Sequence, residues 1–265
     1  MRVIQVKRRY GLMGVAACTC GLAVWALPVL RIPGPPEARI VRHLVTVPGG
    51  TCVMGSREAG GSAGPTTVTV SSFLVGRFEV TVGEFVRYLN SPGCSSTARP
   101  HGVRLKRGRH VAAWGQANEP VSGVSRADAL GYCAWLSGQT GLRVRLPTET
   151  EWEYAARGGI DGARYPWGWG EPAGRACFAS RKPRRVGSFS SNMFGLYDMA
   201  GNVFEWCSDD VAGGLAPVRG GSWAERDPAM LRVYRRTMVP EDYRDRDVGF
   251  RIAADVDEVS SQACD

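Results

Sequence analysis

Hydrophobic and polar positions along this chain follow two periods in turn. Residues 43–53 form a strand-like run that ends in Pro48-Gly49-Gly50. Residues 66–80 alternate β-branched and polar positions, which predicts a hairpin. The period then changes. Val82, Phe85, Val86 and Leu89 recur at helical spacing, so residues 82–90 read as a helix with Thr81 as its cap. Residues 91–118 lose periodicity and read as an irregular insertion loop. A second helix is predicted over 125–137, with Ser125 as cap, Asp128 in the first turn and an apolar set that includes Ala129, Cys133 and Leu136. A third, short helix covers 147–157. Beyond it the pattern gives turns and short strands to Ala254, and residues 256–265 are a polar tail.

The N-terminus follows another logic. Lys7, Arg8 and Arg9 precede an acid-free apolar run from Gly11 to Leu30. A basic end followed by about 20 apolar residues is the form of an export signal or a membrane anchor over 1–30. Three variants stay open: a retained anchor, cleavage after Ala26, and lipidation at Cys18 in Val15-Ala16-Ala17-Cys18. Each predicts an exported protein, periplasmic or held on the outer side of the inner membrane. Residues 31–43, with Pro33, Pro35 and Pro36, read as a linker to a domain over 44–255.

Composition narrows the class. Glycine at 34 residues, 16 prolines and 8 tryptophans suit a turn-rich domain with a real core. The formal net charge is +8, and taking away Arg2, Lys7, Arg8 and Arg9 leaves +4 for the rest. That charge is too diffuse for a nucleic-acid partner, and the basic stretch at Arg181, Lys182, Arg184 and Arg185 reads as a solvated loop. Six of the 8 cysteines lie outside the leading segment and none forms a CxxC pair, which argues against a structural zinc site. His43, His101 and His110 lack the close spacing of an iron ligand set.

Five stretches, in order, carry a resemblance. They are 47–55 with Pro48-Gly49-Gly50; Phe78-Glu79-Val80-Thr81; Arg145-Leu146-Pro147-Thr148-Glu149 running to Gly158-Gly159; Gly195-Leu196-Tyr197-Asp198-Met199 running to Trp206; and Arg219-Gly220-Gly221-Ser222-Trp223 with Gly249-Phe250-Arg251. Together they resemble the formylglycine-generating enzyme, or sulfatase-modifying factor, family. The resemblance implies an α+β fold, loop-rich and low in regular structure: the family's variant of the C-type lectin fold. Trp152, Trp206 and Trp223 are then core aromatics, and Glu149 and Glu153 are expected to meet buried arginines such as Arg157 and Arg251, because a buried carboxylate needs such a partner. The resemblance also implies one structural calcium site: side-chain oxygens from Asp198 and Glu205, backbone oxygens from Gly201 and Val203. The family's second calcium site is expected to be absent.

The family's chemistry rests on copper(I) held by two thiolates, three and eight positions after the serine of Gly-Gly-Ser. Here those positions are Glu225 and Met230, and no cysteine lies between Cys207 and Cys264. Glutamate is a hard ligand and methionine forms no thiolate, so neither copper nor iron is expected. Two functions follow. One is a non-copper, oxidoreductase-type maturation enzyme, like relatives that mature siderophore chromophores, with Glu225 as general base and Arg232 and Tyr234 as orienting groups. The other is a non-catalytic, lectin-like module that binds peptide or glycan through the 224–247 loop. The expected partner is a small molecule or peptide, and the expected state a monomer with membrane contact only through its N-terminus. In vertebrate members the counterpart of Cys133 bonds a cysteine where this chain has Ile252, so Cys133 is expected to be a buried free thiol.

Overall fold

Three helices begin on the same local device. In the computed structural model, which describes residues 38–56 and 64–256, Thr81 caps helix α2 (Val82–Leu89), Ser125 caps α3 (Arg126–Thr140) and Thr148 caps α4 (Glu149–Arg157). Each cap hydroxyl accepts from the backbone N–H three residues on, and the carboxylate there (Glu84, Asp128 or Glu151) accepts from the cap's own N–H. Gly141 and Gly158 end α3 and α4 in the left-handed region. A single turn, α1 (Ala38–Val41), precedes them inside the stretch expected to be linker.

The strands are short. β1 (Leu44–Val47), β4 (Phe73–Gly76), β7 (Val144–Arg145) and β12 (Ala253–Asp255) make an antiparallel sheet in the order β1-β4-β12-β7. A second sheet runs β10-β9-β8-β11, from β8 (Phe204–Trp206), β9 (Leu215–Arg219), β10 (Arg236–Pro240) and β11 (Val248–Gly249), with β8 and β11 parallel. β2 (Gly50–Met54) pairs with β3 (Thr66–Val70), and β5 (Val103–Lys106) with β6 (Arg109–Ala112). The architecture is α+β with low regularity, as expected.

Three local expectations need correction. The predicted hairpin over 66–80 does not close on itself: β3 pairs back to β2, and β4 enters the first sheet between β1 and β12. The run over 43–53 is two strands, because the chain leaves the first sheet at Pro48-Gly49. The insertion loop over 91–118 contains the β5–β6 hairpin, turned at Arg107 and Gly108, whose φ values of 51° and 75° suit a tight two-residue turn.

Two apolar clusters hold these pieces. One packs α2 and α3 on the second sheet through Phe85, Tyr132, Leu136, Trp206 and Phe250. Phe85 and Tyr132 stack with ring centroids 5.7 Å apart, and Phe250 meets Tyr132 edge-on at 5.4 Å. The other packs α4 on the first sheet through Val47, Phe73, Trp152 and Leu196. Burying each such side chain contributes about 1.5–3 kcal/mol. Among the described residues no helix is long and apolar enough to cross a membrane; the N-terminal segment and the polar tail from residue 257 lie outside the described residues.

Candidate functional site

The loop that carries Glu225 leaves β9 under tight control. Arg219, at the end of β9, is buried and donates to Glu153 Oε2 at 2.5 Å. Glu153, on α4, also accepts from Arg157 Nη2 at 2.6 Å and Nε at 3.1 Å, and from the Gly55 N–H at 2.8 Å. The expected pairing of Glu153 with Arg157 is therefore made. Arg219 is a partner the sequence reading missed, and Arg219 also lies 3.7 Å from Glu149. Gly221 follows at φ 72°, where a Cβ would come within 3.0 Å of the Met230 carbonyl oxygen, so the loop returns against its own start. Ser222 is fully buried and donates to Asp247 Oδ2 at 2.7 Å. The Ala179 and Ser180 N–H groups donate to the Glu225 and Trp223 carbonyls at 2.7 and 2.8 Å. Trp152, Trp206 and Trp223 are buried, as core aromatics should be.

Glu225 is half-buried. Burial raises its carboxyl pKa, and nearby Asp247 and Asp227 raise it further. The two residues expected to orient it, Arg232 and Tyr234, are partners of one another. Arg232 is hydrogen-bonded to Tyr165 and Tyr234, and Tyr165 stacks on Trp167 at 5.3 Å. Met230 accepts from Arg235 at 3.6 Å. The structure thus brings Arg232 and Tyr234 together and sets Glu225 among acids.

The expected calcium residues lie in a buried polar cluster. Asp198, Asn202 and Gly201 all adopt positive φ, which turns the chain sharply ahead of β8. Asp198 Oδ2 accepts from the Gly187 N–H at 2.6 Å. Glu205 is fully buried and holds Arg251, at 2.6 Å from Nε to Oε2 and 2.6 Å from Nη2 to Oε1; its Oε2 also accepts from Trp152 Nε1 at 2.6 Å. Arg251 was expected opposite Glu149 or Glu153, and Glu205 takes that role instead. A third carboxylate, Glu79, joins from the segment before α2. Its Oε1 accepts from Asn202 Nδ2 at 2.8 Å, while its Oε2 is buried with no hydrogen-bond partner. Three carboxylates thus face one guanidinium. Burial pushes Asp198 up to about 6, the Gly187 N–H and Arg251 opposing; burial and then Asp198 push Glu79 well above the usual carboxylate range.

Burial thus disfavours the charged forms of Glu79 and Asp198, and among the described residues no three His, Cys, Asp or Glu side chains are grouped so as to hold a metal ion. Glu205 is the weakest member of the expected ligand set, since three donors already hold it. Glu79 offers the free oxygen. The sequence reading quoted Glu79 within its motif and gave it no role. Cys133 is a free, buried thiol whose pKa burial raises, with Arg145 opposing.

An α+β domain of short strands, built around buried glutamate–arginine pairs and with Glu225 and Met230 on its Gly-Gly-Ser loop, is a loop-rich scaffold of the C-type lectin kind. Comparison with known proteins agrees on the scaffold. Residues 32–256 match the sulfatase-modifying factor enzyme 1-like domain family, and the chain belongs to that family. It is 32% identical to the formylglycine-generating enzyme of Thermomonospora curvata over 84% of this chain and 97% of that protein. It is 37% identical to serine/threonine-protein kinase pkn1 of Chlamydia pneumoniae over 66% of this chain, but spans only 29% of that protein's length. The solved structure of PvdO from Pseudomonas aeruginosa superposes with a TM-score of 0.68 at 29% identity, covering 80% of this chain and 94% of that one.

Proposed function

We propose that this chain is a copper-independent member of its family that binds a peptide, glycan or small molecule on the surface of its 222–247 loop. The observation that carries this reading is the setting of Glu225, a half-buried carboxylate on the loop whose charged neighbours are the acids Asp247 and Asp227. Peptide and glycan arrays probed with the purified chain test it. Specific capture, lost when Glu225, Arg226 and Asp227 are all replaced by serine, supports binding. Oxidative turnover of the captured ligand that Glu225→Gln abolishes would overturn it.

That last outcome is the second reading: an oxidoreductase-type maturation enzyme with Glu225 as base. The raised carboxyl pKa of Glu225 favours it. Under either reading we propose one structural calcium at Asp198, with Gly201 and Val203 carbonyls, Glu79 supplying the free carboxylate oxygen and Glu205 contributing beside Arg251. The unpaired Glu79 Oε2 beside Asp198 supports it, since a bound cation would favour the ionised form of both carboxyls and add rigidity. We also propose export to the periplasm or the outer face of the inner membrane. The basic, then apolar, N-terminal sequence supports this, and cell fractionation tests it.

A further inference from the structure

A pocket of about 440 Å³ lies at the far end of the 222–247 segment, where Arg244, Asp245 and Arg246 line it, so this inference deepens the binding reading of that segment. Three chain segments build it: the loop after α2 with Thr97, Arg99 and His101, the turn before α3, and the β10–β11 connection with Arg244 and Arg246. Backbone hydrogen bonds tie the segments together at one point. The Gly123 N–H donates to the Asp245 and Val248 carbonyls at 2.8 and 3.1 Å, and the His101 N–H to the Ser122 carbonyl at 2.8 Å. Gly123 sits at φ 76°, and a Cβ there would come within 3.4 Å of the His101 nitrogen. The pocket is therefore framed by fixed backbone.

Its charge is unbalanced. Arg244 is spoken for, since its Nε and Nη2 each lie 3.0 Å from Asp128 Oδ2. Asp245, the acid in the lining, has both oxygens engaged, one by the Arg246 N–H at 2.6 Å and one by the Tyr243 hydroxyl at 3.2 Å. Arg99 and Arg246 make no ion pair among the described residues. The Arg246 guanidinium instead lies 4.9 Å over the Trp223 ring, and its charge reaches the Asp247 carboxylate. Arg99, Arg244 and Arg246, with His101 and Thr97, are all exposed and line one open pocket. A guanidinium fork matches the oxygens of phosphate, sulfate and carboxylate two at a time.

We infer that this pocket binds a small dianion: a phosphate or sulfate group, or the paired carboxylates of a dicarboxylic acid. Its size suits a free metabolite or one charged group of a larger ligand. Trp223 forms its link to the Ser222–Glu225 loop, so a ligand anchored here reaches toward that surface.

Isothermal titration of the full chain with inorganic phosphate, sulfate and succinate, in a low-ionic-strength buffer free of multivalent anions, tests the site. Saturable binding of at least one anion is expected, weakened about tenfold or more by Arg99→Ala and by Arg246→Ala. Arg246→Lys keeps the charge but loses the fork, and should fall between wild type and Arg246→Ala. Preference for phosphate or sulfate assigns a tetrahedral oxyanion, and preference for succinate a dicarboxylate. Arg181→Ala, an exposed arginine outside the pocket, is the control and should leave affinity unchanged. Far-UV circular dichroism confirms that each variant is folded. Absence of saturable binding for all three anions, or an equal loss in Arg181→Ala, overturns the inference.

Discussion

Replacing Glu153 by glutamine tests how the domain holds its functional loop in place. Glu153 is 2% exposed and balances Arg157 and Arg219, which are 3% and 2% exposed. Glutamine keeps the shape but removes the charge and turns an N–H₂ group toward guanidinium donors. Breaking one side of a buried ion pair costs about 3–5 kcal/mol. Here part of the loss is cushioned. Arg219 keeps Glu149 at 3.7 Å, and Arg157 keeps the Gly55 and Ala163 carbonyls at 2.8 and 3.1 Å. The low end of the range, about 3 kcal/mol, is therefore expected. For a domain of this size each kcal/mol moves Tm by about 2–4 °C, so the melting midpoint should fall by about 6–12 °C. Arg236→Ala is the comparison: Arg236 also meets a glutamate, Glu149 at 3.3 Å, but is half exposed, and its loss should cost less than about 1 kcal/mol. Urea unfolding of both variants, followed by tryptophan fluorescence and circular dichroism, gives the difference. Equal destabilisation in the two would refute the view that the buried cluster, rather than surface pairing, secures the start of the loop.

Calcium chelation should lower Tm of the wild type and leave Asp198→Ala, which removes the side-chain oxygen, unmoved; elemental analysis showing stoichiometric copper and no calcium would count against the site. Asp198 is the better probe than Glu205, whose loss also strands Arg251. Burial raises the Asp128 pKa, but hydrogen bonds from Ser125, Ser96 and Arg244 outweigh it and the net shift is downward. The carboxylate is therefore favoured in the folded state. Its contribution is complete above the unfolded carboxyl pKa of about 3.9 and is lost as pH falls through the lower folded value, so wild type should show an acid-destabilisation slope below about pH 4 that Asp128→Asn lacks. If the chain turns over a substrate, Glu225→Gln should cut the rate about 10²–10⁴-fold with little change in Tm. A base must be unprotonated, so the acid limb of the rate profile should lie above the ordinary glutamate range; full activity in Glu225→Gln would remove this residue from any mechanism.

What the sequence made legible was local. The three capped helices could be read because Thr81, Ser125 and Thr148 each find their carboxylate three residues on. Strand character was also visible in the alternation over 66–80, but alternation says nothing about the partner, and β3 and β4 pair in different sheets. The β5–β6 hairpin was missed because Arg104, Lys106 and Arg109 mask any apolar face, and only Arg107-Gly108 signalled the turn. Long-range ion pairing was least legible. That buried arginines would meet glutamates followed from charge burial, yet which glutamate Arg251 meets depends on β8 and β11 lying side by side. The pocket beside Gly123 brings Arg99 and Arg246 together from distant parts of the chain, a juxtaposition no linear motif announces.

Burial along the Gly-Gly-Ser loop is uneven. Arg219, Gly220, Gly221 and Ser222 are buried and tied to α4 and Asp247. Their replacement would disturb the core. Glu225 and Met230, at the two positions the resemblance assigns to thiolates, are half-buried and belong to neither of the two large apolar clusters. Met230 packs against the small cluster of Tyr165, Ala176, Ala200 and Leu231, and Glu225 neighbours Asp247 and Asp227. The scaffold thus constrains where the loop starts and returns, and leaves the chemistry on its tip free to change. Fold membership therefore carries no activity with it, and the function of this chain must be sought in the groups that replaced the thiols and in the arginines gathered beyond Trp223.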